Sequence, residues 1–219
     1  MAVVLPLQHR VDAGAFLLHL HLMLNMQIGG VAAEVHRRAV QAVAERFGET
    51  LVGAALEEER TYPHLSLVYD FYIDPARLAE LEVTLRQFAS RQTPARLQFS
   101  QVQVWGGRVV SFHVDESSPE YAAARATFDC LLAILGTLDL PPTELLAKPV
   151  QWHSTVAMRN AGDIEGFNAE SICEHVRELG DLPASFLFDN ITIMGKDGPT
   201  GPYRSNAKPG RRFDFGSTS

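Results

Sequence analysis

An α+β fold, with two sheets covered by helices, is the class this sequence predicts. Three features predict it. Stretches of period-two alternation recur along the chain, amphipathic helical stretches are interleaved with them, and short turn signals join some strands as hairpins. The 219 residues suffice for one large or two small domains. Hydrophobic residues are 46% and charged residues 21%, the proportions of an ordinary soluble globular protein. A formal net charge of -7 argues against a surface coated in basic groups for long duplexes. It leaves room for a small phosphorylated substrate or a short RNA end.

Residues 16–28 alternate strictly. Leu18, Leu20, Leu22, Leu24, Met26 and Ile28 take one side; His19, His21, Met23, Asn25 and Gln27 take the other. That is a strand with one core face and one partly polar face. It is too short and too polar for a membrane span, and no signal peptide is expected. Gly29-Gly30 breaks the strand. Residues 31–47 predict a helix with Val31, Val35, Ala39, Ala42 and Val43 inward, stopped by Gly48. A short strand is expected around 51–56. Leu65, Leu67, Val68, Tyr69, Phe71 and Tyr72 then mark a strand behind Pro63. Asp74-Pro75 supplies an N-cap and first-turn proline for a helix to about Ser90, carrying Leu78, Leu81, Leu85 and Phe88. Strands near 97–104 and 109–114 flank Gly106-Gly107 as a hairpin. Ser118-Pro119-Glu120 opens a helix ending near Gly136. A loop with Pro141, Pro142 and Pro149 leads into a strand carrying Trp152, Thr155, Val156 and Met158. Residues 163–179 predict a helix, and 185–194 and 212–215 two closing strands. The halves echo one another in element order without a visible sequence repeat.

Two of these strands carry the same pattern: histidine, any residue, hydroxyl residue, aliphatic residue. The first is His64-Leu65-Ser66-Leu67 and the second His153-Ser154-Thr155-Val156. In a strand, residues i and i+2 share a face, so His64 projects with Ser66 and His153 with Thr155. A histidine gives or takes a proton near neutral pH. A hydroxyl donates a hydrogen bond to a phosphate oxygen without bearing charge. The matched pairs therefore form a kit for acid–base chemistry on a phosphate ester, with His64 and His153 catalytic and Ser66 and Thr155 phosphate-binding. Two imidazoles cover proton transfer, so no metal and no cofactor is expected. Tyr62 and Trp152, each preceding a histidine, are candidates for lining the site or stacking on a base. His9, His36, His113 and His175 fit no motif and read as surface or packing residues. Cys130 and Cys173 form no Cys-x-x-Cys pair and read as buried free thiols in a reducing cytoplasm. The segment carrying Lys196, Arg204, Lys208, Arg211 and Arg212 reads equally as a phosphate-attracting basic loop and as a solvated one.

On these motifs the chain resembles the two-histidine (2H) phosphoesterase superfamily, which includes the 2′-5′ RNA ligase-like (LigT-like) proteins and the cyclic phosphodiesterases of RNA processing. Pro63-His64-Leu65-Ser66-Leu67 closely matches that family's first motif. In the second, Ser154 stands where the family usually has an apolar residue. The resemblance runs from about residue 15 to the C-terminus, leaving residues 1–14 as an N-terminal extension and 15–219 as a single bilobal domain. It implies two pseudo-symmetric lobes, each an antiparallel sheet covered by helices, with a central cleft between the sheets. Each lobe would give one histidine to that cleft. It implies a phosphodiesterase acting on RNA or nucleotide phosphodiesters, above all 2′,3′-cyclic phosphates, with 2′-5′ ligation as the reverse direction. The partner expected is a nucleotide or RNA end, the protein a monomer with no membrane association. In that family a loop near the C-terminus lies beside the cleft, which by analogy points to Tyr203 and Arg204. The competing reading is a catalytically inactive nucleotide- or RNA-binding module using the same cleft. Both histidines and both hydroxyls are intact, so nothing in the chain argues for loss of turnover.

Overall fold

Alternating strands separated by amphipathic helices have to pair in a way that buries one face of each. The computed structural model describes residues 20–51, 63–138, 151–158, 167–196, 203–204 and 211–216. In chain order these hold β1 (Leu20–Gln27), α1 (Gly30–Phe47), β2 (His64–Ile73), α2 (Leu78–Ala89), β3 (Ala95–Trp105), β4 (Val109–Val114), α3 (Pro119–Thr137), β5 (His153–Met158), α4 (Ala169–Glu178), β6 (Ala184–Phe188), β7 (Asn190–Lys196), β8 (Tyr203–Arg204) and β9 (Arg212–Asp214).

The strands form two antiparallel sheets. One runs β2-β1-β7-β8, with β9 also paired to β7; the other runs β5-β4-β3-β6. The α+β class with two helix-covered sheets is therefore the fold observed. The two halves share a unit: strand, helix, then a histidine-bearing strand that pairs antiparallel with the first. In one half it is β1-α1-β2, in the other β4-α3-β5. Both histidine strands end up at a sheet edge. A single apolar cluster joins the halves, with Leu24, Leu65, Phe71, Phe99, Phe112, Trp152, Ile193 and Phe213 among its members. The helix α1 packs against β5, β6 and α4, and α2 against β7 and β9.

Local signals act as their chemistry requires. Asp74 Oδ1 accepts the Ala76 N–H at 2.8 Å, Ser118 Oγ the Tyr121 N–H at 3.0 Å, and Asn168 Oδ1 the Ser171 N–H at 3.1 Å. Gly106 and Gly107 in the β3–β4 hairpin have φ of 57° and 68°, a region side chains with a Cβ resist.

Several expectations need correction. The closing strand read over 185–194 is two strands in different sheets, because the chain leaves the second sheet at Asp189 and enters the first. The helix read over 163–179 starts at Ala169, where Asn168 caps it; residues 163–166 lie outside the described residues. Residues 49–51 form a 3-10 turn, and the rest of the strand read over 51–56 lies outside the described residues. Val31 is exposed, since α1 buries Ala32, His36, Ala39, Val40 and Val43 instead. Cys130 is exposed on α3, so only Cys173 is a buried thiol. Residues 1–14 lie outside the described residues.

Candidate active site

The burial pattern of the two motifs is the same. His64 and Ser66 are half-buried while Leu65 and Leu67 are buried; His153 and Thr155 are half-buried while Ser154 and Val156 are buried. In each strand the histidine and hydroxyl turn away from the core together, as a period of two requires. The strands β2 and β5 also touch one another across the two sheets, so the motifs lie in one region of the molecule.

Residues directly opposite in an antiparallel pair share a face. In the first sheet, Gln27 lies opposite His64 and Asn25 opposite Ser66. In the second, His113 lies opposite His153 and Ser111 opposite Thr155. Each motif thus has a polar row behind it, supplied by the neighbouring strand. Gln27 is held at both backbone groups by the Asn190 carboxamide, at 3.0 and 2.9 Å, and its side-chain Oε1 accepts from Arg212 Nη1 at 2.7 Å. His113 Nε2 and Ser111 Oγ share a hydrogen bond of 3.0 Å.

The second histidine is the better defined. Its Nδ1–H donates to the Gln151 carbonyl at 2.9 Å, which leaves Nε2 carrying the lone pair in the neutral ring. The His113 ring stacks near it with centroids 5.8 Å apart, and the Trp105 ring meets it edge-on at 4.6 Å. Burial lowers the His153 pKa below its ordinary value, with the Gln151 hydrogen bond acting in the opposite sense. Burial first, and the charge of His153 second, push His113 down to about 4. His36 on α1 is buried and also pushed down to about 4. Burial dominates there, the Thr155 carbonyl opposes it, and the charges of His64 and Arg37 add to it. The His36 Nε2–H donates to the Thr155 carbonyl at 2.9 Å. His36 is thus bonded to the second motif while it feels the first.

The other sequence-derived candidates fare differently. Trp152 is fully buried, stacked on Phe188 at 5.2 Å and edge-on to Tyr121 and Phe128. It is a core residue out of a ligand's reach, because a residue next to His153 in a strand points to the opposite face. Tyr62 and His19 lie outside the described residues. Tyr203 and Arg204 form a two-residue strand on β7, opposite Lys196 and Gly195, where a loop was expected. In the basic segment, Arg211 pairs with Glu82 at 4.0 Å and Arg212 with Asp214 at 2.7 Å, so part of its charge is matched.

Four residues near the motifs carried no motif of their own: Asn25, His36, Trp105 and His113. Asn25 is buried, and among the described residues neither polar atom of its carboxamide has a hydrogen-bond partner; His113 Nδ1 is in the same state. A signal for His113 and Ser111 did exist. Ser111-Phe112-His113 is the second motif's polar pattern written backwards, as an antiparallel neighbour must have it. Among the described residues, no group of three His, Cys, Asp or Glu is placed to hold a metal ion, and no helix is long and apolar enough to cross a membrane.

Comparison with known proteins adds to this geometry. A family model described as the 2′-5′ RNA ligase superfamily matches residues 32–200. No curated protein matches by sequence. Among solved structures, Escherichia coli LigT complexed with 3′-AMP superposes with a TM-score of 0.56 at 16% identity, covering 90% of this chain and 98% of that one. A structure described as a phosphoesterase gives a TM-score of 0.56 at 16% identity, with coverage of 90% and 98%. A Thermus thermophilus protein gives 0.56 at 14% identity, covering 91% of this chain and all of its own. At these identities the structures establish a shared fold.

Proposed function

The chain belongs to the 2′-5′ RNA ligase superfamily, and from that premise we propose that it cleaves phosphodiesters at RNA or nucleotide ends by two-histidine acid–base catalysis, 2′,3′-cyclic phosphates first among them. The observation that carries the reading is the repeated arrangement of His64 with Ser66 and His153 with Thr155, turned from the core on two edge strands that touch. One imidazole, neutral, takes a proton from water as the water oxygen bonds to phosphorus. The other, protonated, gives its proton to the ribose oxygen as the bond from phosphorus to that oxygen breaks. The proton account closes, and each histidine ends in the other's starting state. Each such role is worth roughly 10²–10⁴ in rate. Ser66 and Thr155 donate to the non-bridging oxygens, which gather charge as the new bond forms. With a ribose 5′-hydroxyl in place of water, the same groups would join ends: one imidazole takes the hydroxyl proton as its oxygen bonds to phosphorus, the other protonates O3′ as the bond from phosphorus to O3′ breaks, and a 2′-5′ linkage remains. A nucleotide ligand also fits the shared fold, since LigT has been crystallised with 3′-AMP and NADP+.

The test is incubation of the purified protein with each of the four 2′,3′-cyclic mononucleotides in EDTA, with the products resolved by ion-exchange chromatography. Ring-opened monophosphates are the expected products. Saturable binding with no turnover on any of the four, or on a 2′-5′-linked dinucleotide, would leave a binding module in place of an enzyme.

A further inference from the structure

Trp105 ends β3 at the mouth of its hairpin, opposite Val109, with 51% of its surface exposed. The other tryptophan, Trp152, is completely buried. Leaving so large an apolar ring in water forgoes stabilisation that burial provides, on the order of 25 cal/mol per Å². The hairpin does not call for the indole: its turn is set by Gly106 and Gly107, and Val109 opposite is itself only half-buried. The neighbourhood of the ring does give it a use. It meets the His153 imidazole edge-on at 4.6 Å, with an interplanar angle of 81°. Register agrees with that contact. Gln101 pairs with His113, Gln103 with Ser111 and Trp105 with Val109, so Trp105 projects from the side of the sheet that carries His153 and Thr155.

We propose that Trp105 is the stacking platform for the nucleobase of the substrate, seated beside the phosphate that His153 serves. This rests on the reading of the site as one for nucleotide phosphodiesters. It replaces Trp152, which the core claims, and names the substrate's recognition element as an aromatic base with no requirement for its hydrogen-bonding edge. Every base has a π-face, so stacking on one indole accepts all four.

Two measurements test the platform. The first is binding of adenosine 3′-monophosphate, followed by intrinsic fluorescence and by calorimetry, with ribose 5-phosphate and inorganic phosphate as base-free probes. Saturable quenching by the nucleotide alone is expected. Base–aromatic stacking of about 1–3 kcal/mol sets the Trp105→Ala loss of affinity at about five- to 150-fold, with Trp105→Phe recovering much of it. The second is the ratio of kcat/KM for 2′,3′-cyclic AMP to that for a base-free cyclic phosphodiester. That ratio should fall by a similar factor in Trp105→Ala, with the larger change in KM. A purely structural tryptophan would depress both substrates together and leave the ratio unmoved, which overturns the proposal; so does unaltered nucleotide affinity in Trp105→Ala, or a wild-type protein that binds no adenosine 3′-monophosphate. Quenching without turnover in the wild type would uphold the platform and remove the cleavage reading. Turnover that is indifferent to residue 105 would do the reverse.

Discussion

The two motif strands are alike in position and unlike in company. Behind His64 and Ser66 stand two amides, Gln27 and Asn25, with Arg212 reaching in to Gln27. Behind His153 and Thr155 stand His113 and Ser111, with Trp105 at the side. The fold's approximate symmetry thus dictates where the histidines sit, while the strand beside each one dictates which side chains it meets. One imidazole lies in a row of neutral hydrogen-bonding groups, the other among rings.

Removing either histidine should have the largest effect. His64→Ala and His153→Ala should each lower turnover by about 10²–10⁴, and the double variant should be barely worse, since groups acting as a unit are not additive. Ser66→Ala and Thr155→Ala should cost less, about ten- to a hundredfold, for one lost hydrogen bond to a charged oxygen. Steady-state kinetics of the five proteins makes the comparison. In the pH profile of kcat/KM, the limb belonging to His153 should lie below the ordinary imidazole value, as its burial implies. Near-normal turnover in both single histidine variants would place the chemistry elsewhere.

Acid stability should separate the surroundings next. Above about pH 6.5, His36 and His113 are neutral in both folded and unfolded chains. Below it the unfolded chain takes protons that the folded chain refuses until about pH 4. Stability is therefore present in full above 6.5 and lost as pH falls, by about 3 kcal/mol for His36 at pH 4 and by less for His113, whose shift is partly the His153 charge. Urea unfolding at pH 7 and pH 4.5 should show a smaller loss in His36→Gln and His113→Gln than in the wild type. An equal loss in all three would mean that these rings are not held neutral.

The smallest effect has opposite signs in the two rows. Asn25 holds a buried carboxamide with no partner among the described residues, so Asn25→Leu should stabilise the fold by about 1–2 kcal/mol. Ser111→Ala should destabilise by a similar amount, because it strands His113 Nε2. Thermal unfolding at pH 7 reads both.

Much of this was legible in the chain. Period two put His64 with Ser66 and His153 with Thr155 on common faces, and their burial follows that alternation. The same rule, applied one residue back, sends Trp152 to the face opposite His153, so the expectation of a cleft-lining Trp152 conflicted with the strand assignment itself. His36 was not legible. It reaches Thr155 across 119 residues of sequence, and no local pattern encodes which carbonyl a helix will meet. The break at Asp189 was masked by apolar residues on both sides of it: Phe186 and Phe188 before, Ile191 and Ile193 after, all buried. Only the turn-prone Asp-Asn pair marks it.

That break has a consequence for how the protein comes apart. One residue, Asp189, separates β6 of the second sheet from β7 of the first, and β7 is the strand that covers the inner flank of β1. A polypeptide ending at Asp189 would retain both histidines and still leave β1 bare along that side, with Leu24 deprived of Ile193 and Met23 of Met194. The duplicated architecture is therefore not two independent modules end to end. Its halves are sewn together by the segment from β6 onward, and fragments cut between them should recover a native sheet only by reassembling with each other.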